Sequence, residues 1–279
     1  MPELPEVETI KNQLNRLIKG KTFNSVDVLL EKKVEPEALK FKRLIKGAKI
    51  NLIRRRAKIF IFELNNGFSL IIHLKMTGQL IFAGDEKKAR EMKNKHTHLI
   101  FHFQDGSFLL FNDLRQFGYV KLIKSLVVDR EIKEKDLGPE PLERNFTLAA
   151  FRAILKKRPQ RKIKQLLMDQ NLVAGIGNIY SDEILFYSRV HPLRTSRDLN
   201  DAEIKSLHKN IKKVLANAIK DRGTSAKDYL DAKGKKGEYD KKLKVYGKEG
   251  QKCPKKCSGL IARIKIGGRS AHFCPACQK

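Results

Sequence analysis

The sequence predicts an α+β protein, with strands in its first half and helices in its second. Three observations support this: short β-rich runs lie between Thr22 and about Ser125, helical spacing of apolar residues follows, and every cysteine lies in the last 27 residues. About 41% of the 279 residues are hydrophobic, which is enough for one large domain or two ordinary ones.

The chain opens with "MPELPEVETI", which is either a helix start or an active site. Pro5 and the neighbouring acids suit the first turn of a helix and its dipole. Apolar residues follow at steps of three and four, and Gly20 ends the pattern, so we predict an amphipathic helix. These apolar residues are Leu4, Val7, Ile10, Leu14, Leu17 and Ile18.

The next stretch is strand-like. The runs "KIFIFEL", "GFSLIIHL", "HLIFHF" and "SFLLFN" are β-rich, and turns such as "NNG" and "QDG" separate them. They predict an antiparallel sheet or sandwich. The stretch 126–145 is charged and contains "LGPEPL", which favours a hinge there.

Helical patterns follow the hinge in "LAAFRAILKK", "IKQLLMDQ" and "EIKSLHKNIKKVLANAIKDRG". Gly175 and Gly177 permit a tight turn, with a second helix beginning near Asn178, and backbone N–H groups at such a start bind phosphate. The turn could instead be a close helix–helix packing site. Residues 223–242 have little apolar content and three glycines, so we expect a mobile loop.

The cysteines follow the pattern C-x3-C, sixteen residues, C-x2-C, at Cys253, Cys257, Cys274 and Cys277. Four thiolates from two short knuckles fill the coordination sphere of one tetrahedral Zn²⁺ ion, so the zinc is expected to be structural. Four unligated thiols are the alternative. The intervening residues alternate apolar and basic around a Gly-Gly turn, which suggests a β-hairpin.

The charge balance is strongly basic, with 59 lysines and arginines against 31 acids and a net charge of +28. Such a field favours a polyanionic partner, nucleic acid first and an anionic membrane second; a merely solvated surface is the remaining alternative. We find no bilayer-spanning apolar run and no signal peptide, so we expect a cytoplasmic protein with no membrane partner.

Taken together, these motifs resemble the formamidopyrimidine-DNA glycosylase family of base-excision repair enzymes. The resemblance spans the chain and rests on "PELPEVET", "HLKMTG", "KHTH", "DLRQFG", "LGPEPL", "DQNLVAGIGNIYSDEIL" and "GRSAHFCPACQ". It implies a β-sandwich catalytic domain with an N-terminal helix (1–132), a helix–two-turn–helix domain with a lesion-covering loop (133–242) and a zinc β-hairpin (243–279).

The resemblance also implies the chemistry. Removal of Met1 would free the secondary amine of Pro2, whose pKa of about 8 leaves a useful neutral fraction. That amine would displace an oxidised purine (8-oxoguanine or a formamidopyrimidine) from duplex DNA through a Schiff base, and β,δ-elimination would then nick the strand. Glu3 would transfer protons, and Glu6 would support it from the same helix.

Two further catalytic positions come from the same resemblance. Lys58 matches a lysine that contacts phosphate and assists β-elimination, although by itself it reads as a strand-edge surface lysine. Arg269 matches the hairpin arginine that grips phosphate and supports δ-elimination.

The remaining matched positions are expected to bind DNA. Met76, Arg115 and Phe117 would fill the void left by the extruded base, although Met76 and Phe117 in isolation would be assigned to a core. The other expected DNA contacts are His73, His96, Lys164, Asn178 and Tyr246. We expect the protein to act as a monomer on damaged double-stranded DNA.

The chain departs from the family pattern where Ala57 and Lys75 replace glycine, where Leu114 and Gln116 replace proline and arginine, and in its C-x3-C pair. Lys75 and Gln116 flank the void-filling residues, so the preference for the base opposite the lesion is the property that these departures are most expected to change. An endonuclease VIII-type glycosylase for oxidised pyrimidines is one alternative, although Leu4 disfavours it. A non-catalytic DNA-damage-binding protein and an RNA or ribosome binder are the others.

Overall fold

The structure, a computed structural model, describes residues 2–226, 228–255 and 257–279. The chain forms two compact units. The first contains residues 1–135 and 221–240, and the second contains residues 136–220 and 241–279.

The first unit contains four helices and nine strands among its described residues. They are α1 (Leu4–Ile18), β1 (Phe23–Val28), β2 (Val34–Glu35), α2 (Ala38–Ile45), β3 (Ile50–Arg56), β4 (Ile59–Leu64), β5 (Phe68–His73), β6 (Gly78–Ala83), α3 (Glu86–Met92), β7 (Thr97–Phe103), β8 (Phe108–Asp113), β9 (Tyr119–Lys124) and α4 (Ser125–Lys133).

These strands form a five-stranded sheet in the order β2-β9-β5-β4-β3 and a four-stranded sheet in the order β1-β7-β8-β6. The pairing is antiparallel, as predicted, except for the short parallel pair of β2 with β9. Apolar side chains of α1 and of both sheets meet in one buried cluster, which includes Leu14, Phe60 and Phe101. The predicted sandwich with an N-terminal helix is therefore confirmed.

The second unit contains α5 (Leu148–Lys157), α6 (Ile163–Met168), α7 (Asn178–Ser188), α8 (Asp201–Lys220), β10 (Ala262–Ile266) and β11 (Arg269–Phe273). Four of these are helices at the predicted places, and α7 begins at Asn178 as expected. The strands β10 and β11 pair as the predicted hairpin around Gly267 and Gly268, both with positive φ. None of the helices in the described ranges is long and apolar enough to cross a membrane.

Residues 221–240 pack with the first unit, whereas the sequence analysis placed all of them in the helical domain (133–242). The reason is burial: Tyr229 and Ala232 are 6% and 0% exposed and belong to the cluster of the β-sandwich. The part of the predicted mobile loop that the structure describes is therefore packed.

Candidate functional site

The start of α1 is polar and buried. Glu3 is the N-cap residue, and its backbone N–H donates to Glu6 Oε2 at 2.7 Å. The exposed fraction of each of these two glutamates is only 1%. Local helix capping thus holds the buried carboxyl groups of Glu3 and Glu6 at the start of α1, within four residues of Pro2.

The other oxygen of Glu6 reaches a distant segment. Glu6 Oε1 accepts from the Thr224 N–H at 2.8 Å. Gly223 lies at φ +79°, and a Cβ placed there would be 2.6 Å from Glu6 Oε1. Only glycine permits this approach, so Glu6 joins the start of α1 to residues 223–224.

Lys58 lies in the two-residue turn between β3 and β4 and is 7% exposed. Arg55 braces this turn, because its Nη1 donates to Ala57 O at 2.8 Å and its Nε donates to Glu8 Oε2 at 2.7 Å. The Lys58 turn is therefore tied to the same helix that carries Glu3 and Glu6.

His73 ends β5 as a neutral ring. Its Nδ1 accepts from the Lys75 N–H at 2.9 Å, so the neutral tautomer carries its proton on Nε2. Burial first, and then the charges of Lys75, Lys58 and Lys135, lower the pKa of His73 to about 3. His73 can therefore donate a hydrogen bond without carrying charge.

The predicted void-filling residues lie on loops of the first unit. Phe117 is 54% exposed, so it is not a core residue. Met76 is partly buried. The Arg115 guanidinium lies over the Phe117 ring at 4.7 Å from its centroid. An exposed aromatic ring with a guanidinium group over its face can stack against nucleic acid bases.

A buried lysine that the sequence did not single out braces this loop. Lys33 is 3% exposed, and its Nζ donates to the carbonyls of Gln116 and, at 3.0 Å, Gly118. The Asp113 carboxylate accepts from Thr77 Oγ1 at 2.6 Å and from the Gly118 N–H at 2.7 Å. Both ends of the loop are thus fixed. No local pattern identifies Lys33, because its partners are 83 and 85 residues away.

Three departures from the family pattern have left-handed backbone conformations. Ala57, Lys75 and Gln116 have φ values of 50°, 52° and 57°. A non-glycine residue there costs on the order of 1 kcal/mol. Each of the three is adjacent to a predicted site residue, so the strain lies beside the expected chemistry.

His96 lies beside this region and is partly buried. Its N–H donates to Asn94 Oδ1 at 2.8 Å, and its carbonyl accepts from the Asp113 N–H at 2.9 Å. The backbone of His96 therefore supports the loop at Asp113.

In the second unit, the glycine turn before α7 is built around Gln170. Its Oε1 accepts from the Gly175 N–H at 2.9 Å, and its Nε2 donates to Ile176 O at 2.7 Å. Asn178 is the first residue of α7, and its Oδ1 is buried with no hydrogen-bond partner among the described residues. The backbone N–H groups at this helix start fit the predicted phosphate-binding role, whereas the Asn178 oxygen is an acceptor and does not bear on it.

Lys164 is not the surface residue that a direct DNA contact requires. It is 0% exposed, and its Nζ donates to the Asp182 carboxylate and to Ser181 Oγ at 3.3 Å. Asp182 Oδ2 accepts from His272 Nδ1 at 3.0 Å, and the His272 ring packs edge-on against Tyr246 at 5.0 Å. In this structure Lys164 supports Tyr246 from inside the unit.

Glu183 supports the same region and was not predicted. Its carboxylate accepts from the backbone N–H groups of Lys244, Val245 and Tyr246 at 2.9–3.0 Å. Burial raises the pKa of Glu183, although the N–H donors oppose that shift. Two adjacent acids in an otherwise apolar helix, "SDEILF", were the signal in the sequence.

The four cysteines form the predicted zinc site. Their sulfur atoms all lie within 4.8 Å of one another, and the pairs Cys253–Cys277, Cys257–Cys274 and Cys257–Cys277 are 3.1–3.7 Å apart. Zn–S bonds of about 2.3 Å imply sulfur separations of about 3.8 Å, so the cluster fits one tetrahedral Zn²⁺ ion after slight expansion. Arg269 begins β11 in the same module and is exposed.

Models of known protein families match three successive parts of the chain. Residues 1–120 match the formamidopyrimidine-DNA glycosylase N-terminal domain, residues 137–229 match its H2TH domain, and residues 250–279 match the zinc finger found in FPG and IleRS.

Individual relatives cover the full length. The formamidopyrimidine-DNA glycosylases of Pelotomaculum thermopropionicum and Heliobacterium modesticaldum are 42% and 44% identical over 281 residues, covering 100% of this chain and 99% and 100% of theirs. The Lactococcus lactis Fpg in complex with an abasic site containing DNA is 38% identical, with a TM-score of 0.91 and 99% of each chain covered. A mutant of that protein with Fapy-dG containing DNA is also 38% identical, with a TM-score of 0.91 and 100% of each chain covered.

Proposed function

Because the chain belongs to the formamidopyrimidine-DNA glycosylase family, we propose that the start of α1 is its active site, with Pro2 as nucleophile and Glu3 as proton-transferring acid. The protein is a bifunctional DNA glycosylase and AP lyase that acts in base-excision repair of oxidised purines. Its partner is damaged double-stranded DNA, on which it acts as a monomer, and its cofactor is one structural zinc ion. The observation that carries the assignment is the buried pair of carboxyl groups within four residues of Pro2.

The proposed reaction begins once Met1, which lies outside the described residues, has been removed. The free Pro2 nitrogen attacks C1′ of the damaged nucleotide, and the bond from C1′ to the base breaks. The base leaves with its bonding electron pair and takes up the proton that the Pro2 nitrogen loses. The sugar opens to an iminium, with Glu3 supplying the proton to the departing oxygen. The iminium acidifies the C2′ proton, and loss of that proton expels the 3′ phosphate by β-elimination. Loss of the C4′ proton then expels the 5′ phosphate by δ-elimination, and hydrolysis of the remaining imine frees Pro2.

In this proposal Lys58 and Arg269 are further catalytic residues, Glu6 is a supporting residue, and the remaining predicted residues bind DNA or support those that do. The Glu6 carboxylate accepts a hydrogen bond from the backbone N–H of Glu3 and so holds Glu3 in place. Lys58 and Arg269 contact phosphates during the eliminations. Met76, Arg115 and Phe117 fill the space left by the base. His73, His96, Asn178 and Tyr246 bind the DNA backbone, and we assign Lys164 to supporting Tyr246. A cytoplasmic, nucleoid-associated location is also proposed, which the DNA substrate and the zinc-binding thiolates support.

Borohydride trapping tests the assignment of the nucleophile. Duplex DNA bearing 8-oxoguanine opposite cytosine should give a covalent adduct with the reduced imine on Pro2, identified by peptide mass spectrometry. Pro2→Gly should retain DNA binding but slow the chemistry, because a primary amine replaces the constrained secondary amine.

Three other outcomes would change the assignment. An adduct that maps to a lysine would overturn the role of Pro2. An adduct on thymine glycol DNA with none on 8-oxoguanine would move the substrate to oxidised pyrimidines, and binding without any adduct would indicate a non-catalytic protein.

His73 should contribute affinity without contributing charge. Its pKa of about 3 keeps the ring neutral at ordinary pH, so Nε2 donates to phosphate as a neutral group. His73→Ala should weaken DNA binding by about tenfold. It should leave the slope of log affinity against log salt unchanged, whereas Arg269→Ala should reduce that slope by about one.

The lowered pKa of His73 also predicts how stability and DNA affinity depend on pH. The folded pKa lies below the ordinary 6.5, so the contribution of the neutral ring to stability is present above 6.5 and is lost as pH falls towards 3. Fluorescence anisotropy at about pH 5.5 and about pH 7.5 should give the same affinity ratio between the wild type and His73→Ala. A ratio that grows at the lower pH would mean that the bound ring is protonated.

A further inference from the structure

Residues 221–240, the covering segment, are organised around one buried carboxylate. Asp231 is 0% exposed, and its Oδ1 accepts from the Lys233 and Lys235 N–H groups at 2.9 Å each. Its Oδ2 accepts from Gln13 Nε2 at 2.9 Å and from Arg222 Nη1 at 3.3 Å. The four donors fix the turn on both sides of Asp231.

Gln13 holds this turn to α1 with both ends of its amide. Its Nε2 donates to Asp231, and its Oε1 accepts from the Ala232 N–H at 2.9 Å. Gln13 lies seven residues after Glu6, hence on the same face of α1, and Glu6 accepts from Thr224 N–H. The helix that carries Pro2 and Glu3 therefore holds the covering segment at two points.

The second sheet provides further anchors. The Phe82 N–H donates to Ala232 O at 2.8 Å, and Gln79 Nε2 donates to Asp228 O at 2.7 Å. The Tyr229 side chain is buried in the sandwich core. A segment with this many partners has already lost much of the freedom that it would otherwise lose when a base enters the site.

We propose that Gln13 and Asp231 are positioning residues for base excision: they hold the covering segment on α1 in the conformation that receives the extruded base. The inference rests on the proposed function and on the lesion-covering loop that the family resemblance implies within residues 133–242, which we take to be this segment. Neither residue takes part in the chemistry at the sugar. Their loss should therefore slow removal of the base but not strand cleavage at a site that has already lost its base.

Single-turnover rates on two substrates test this separation. Gln13→Ala should slow excision of 8-oxoguanine by about tenfold, since two hydrogen bonds are lost. Cleavage of DNA with a preformed abasic site should stay within about twofold of wild type. Asn12→Ala, which removes an exposed amide from the neighbouring position of α1, should change neither rate.

A charge exchange distinguishes positioning from general damage to the fold. Gln13→Glu alone places two carboxylates in contact and should slow excision further. Adding Asp231→Asn restores one donor facing one acceptor between positions 13 and 231 but turns the new amide nitrogen towards Arg222 Nη1. The double variant should therefore recover part, not all, of the excision rate lost in Gln13→Glu.

The outcomes separate this inference from the proposed function. Unchanged excision in Gln13→Ala, an equal fall of both rates, or no recovery in the double variant would overturn the inference. A wild-type protein inactive on both substrates would instead overturn the proposed function.

Discussion

Replacing Glu3 with glutamine is expected to slow excision of 8-oxoguanine by roughly 10²–10⁴-fold, the usual contribution of a positioned proton-transferring group. Glutamine has nearly the same shape and keeps an oxygen able to cap α1, but it cannot supply the proton that ring opening requires. The measurement is single-turnover excision on duplex DNA, and affinity is measured separately by anisotropy.

The controls distinguish chemistry from folding. Glu63→Gln removes a carboxylate of a surface ion pair with Arg54 in the same unit, and its excision rate should stay close to that of wild type. Glu3→Gln should bind DNA normally and should still form a trapped imine on preformed abasic DNA, because the Pro2 amine is untouched. Full excision by Glu3→Gln would remove the proton-transfer role.

Features with a local pattern were predictable from the sequence. The spacing of apolar residues predicted α1, alternating β-rich runs predicted the strands, and Gly175 and Gly177 marked the turn before α7. The cysteine spacing identified the metal site, since ligand geometry restricts spacing.

The long-range polar contacts were not predictable in this way. Gln13 and Asp231 are 218 residues apart, and Lys33 lies 83 residues from the Gln116 carbonyl that it binds. A buried polar side chain has no periodicity of its own, and its partner depends on how the sheets pack. The same reason explains Lys164, whose partner Asp182 lies in the next helix.

The backbone strain at three positions could likewise be recognised only from the structure. Ala57, Lys75 and Gln116 were visible as departures from a family pattern, but only their positive φ values explain why glycine suits the first two positions. Each strained residue is held by a well-packed neighbour: Arg55 binds Ala57 O, His73 binds the Lys75 N–H and Lys33 binds Gln116 O. Rigid surroundings therefore set the direction of Lys58, Met76 and the loop of Arg115 and Phe117.

The zinc ligands should give the second large effect. Cys274→Ser should abolish stoichiometric zinc binding and unfold the hairpin, because structural zinc contributes about 10–16 kcal/mol in small zinc modules. The cluster around the metal is small: Phe186, Val245, Cys253, Ile261 and Cys274 are its buried members. It has too little apolar area to keep β10 and β11 paired without the ion.

Loss of zinc should also weaken DNA binding, because the zinc hairpin carries Arg269. The hairpin turn places Arg269 at the start of β11, and an unfolded hairpin presents it in no fixed place. Cys274→Ser should therefore lose at least as much DNA affinity as Arg269→Ala, while the β-sandwich, which has its own core, keeps its strand signal in circular dichroism. Ser258→Ala, an exposed change between the two cysteine pairs, should retain one zinc per chain by colorimetric release assay. A Cys274→Ser protein that still bound zinc and DNA like wild type would show that the hairpin folds without its full set of ligands.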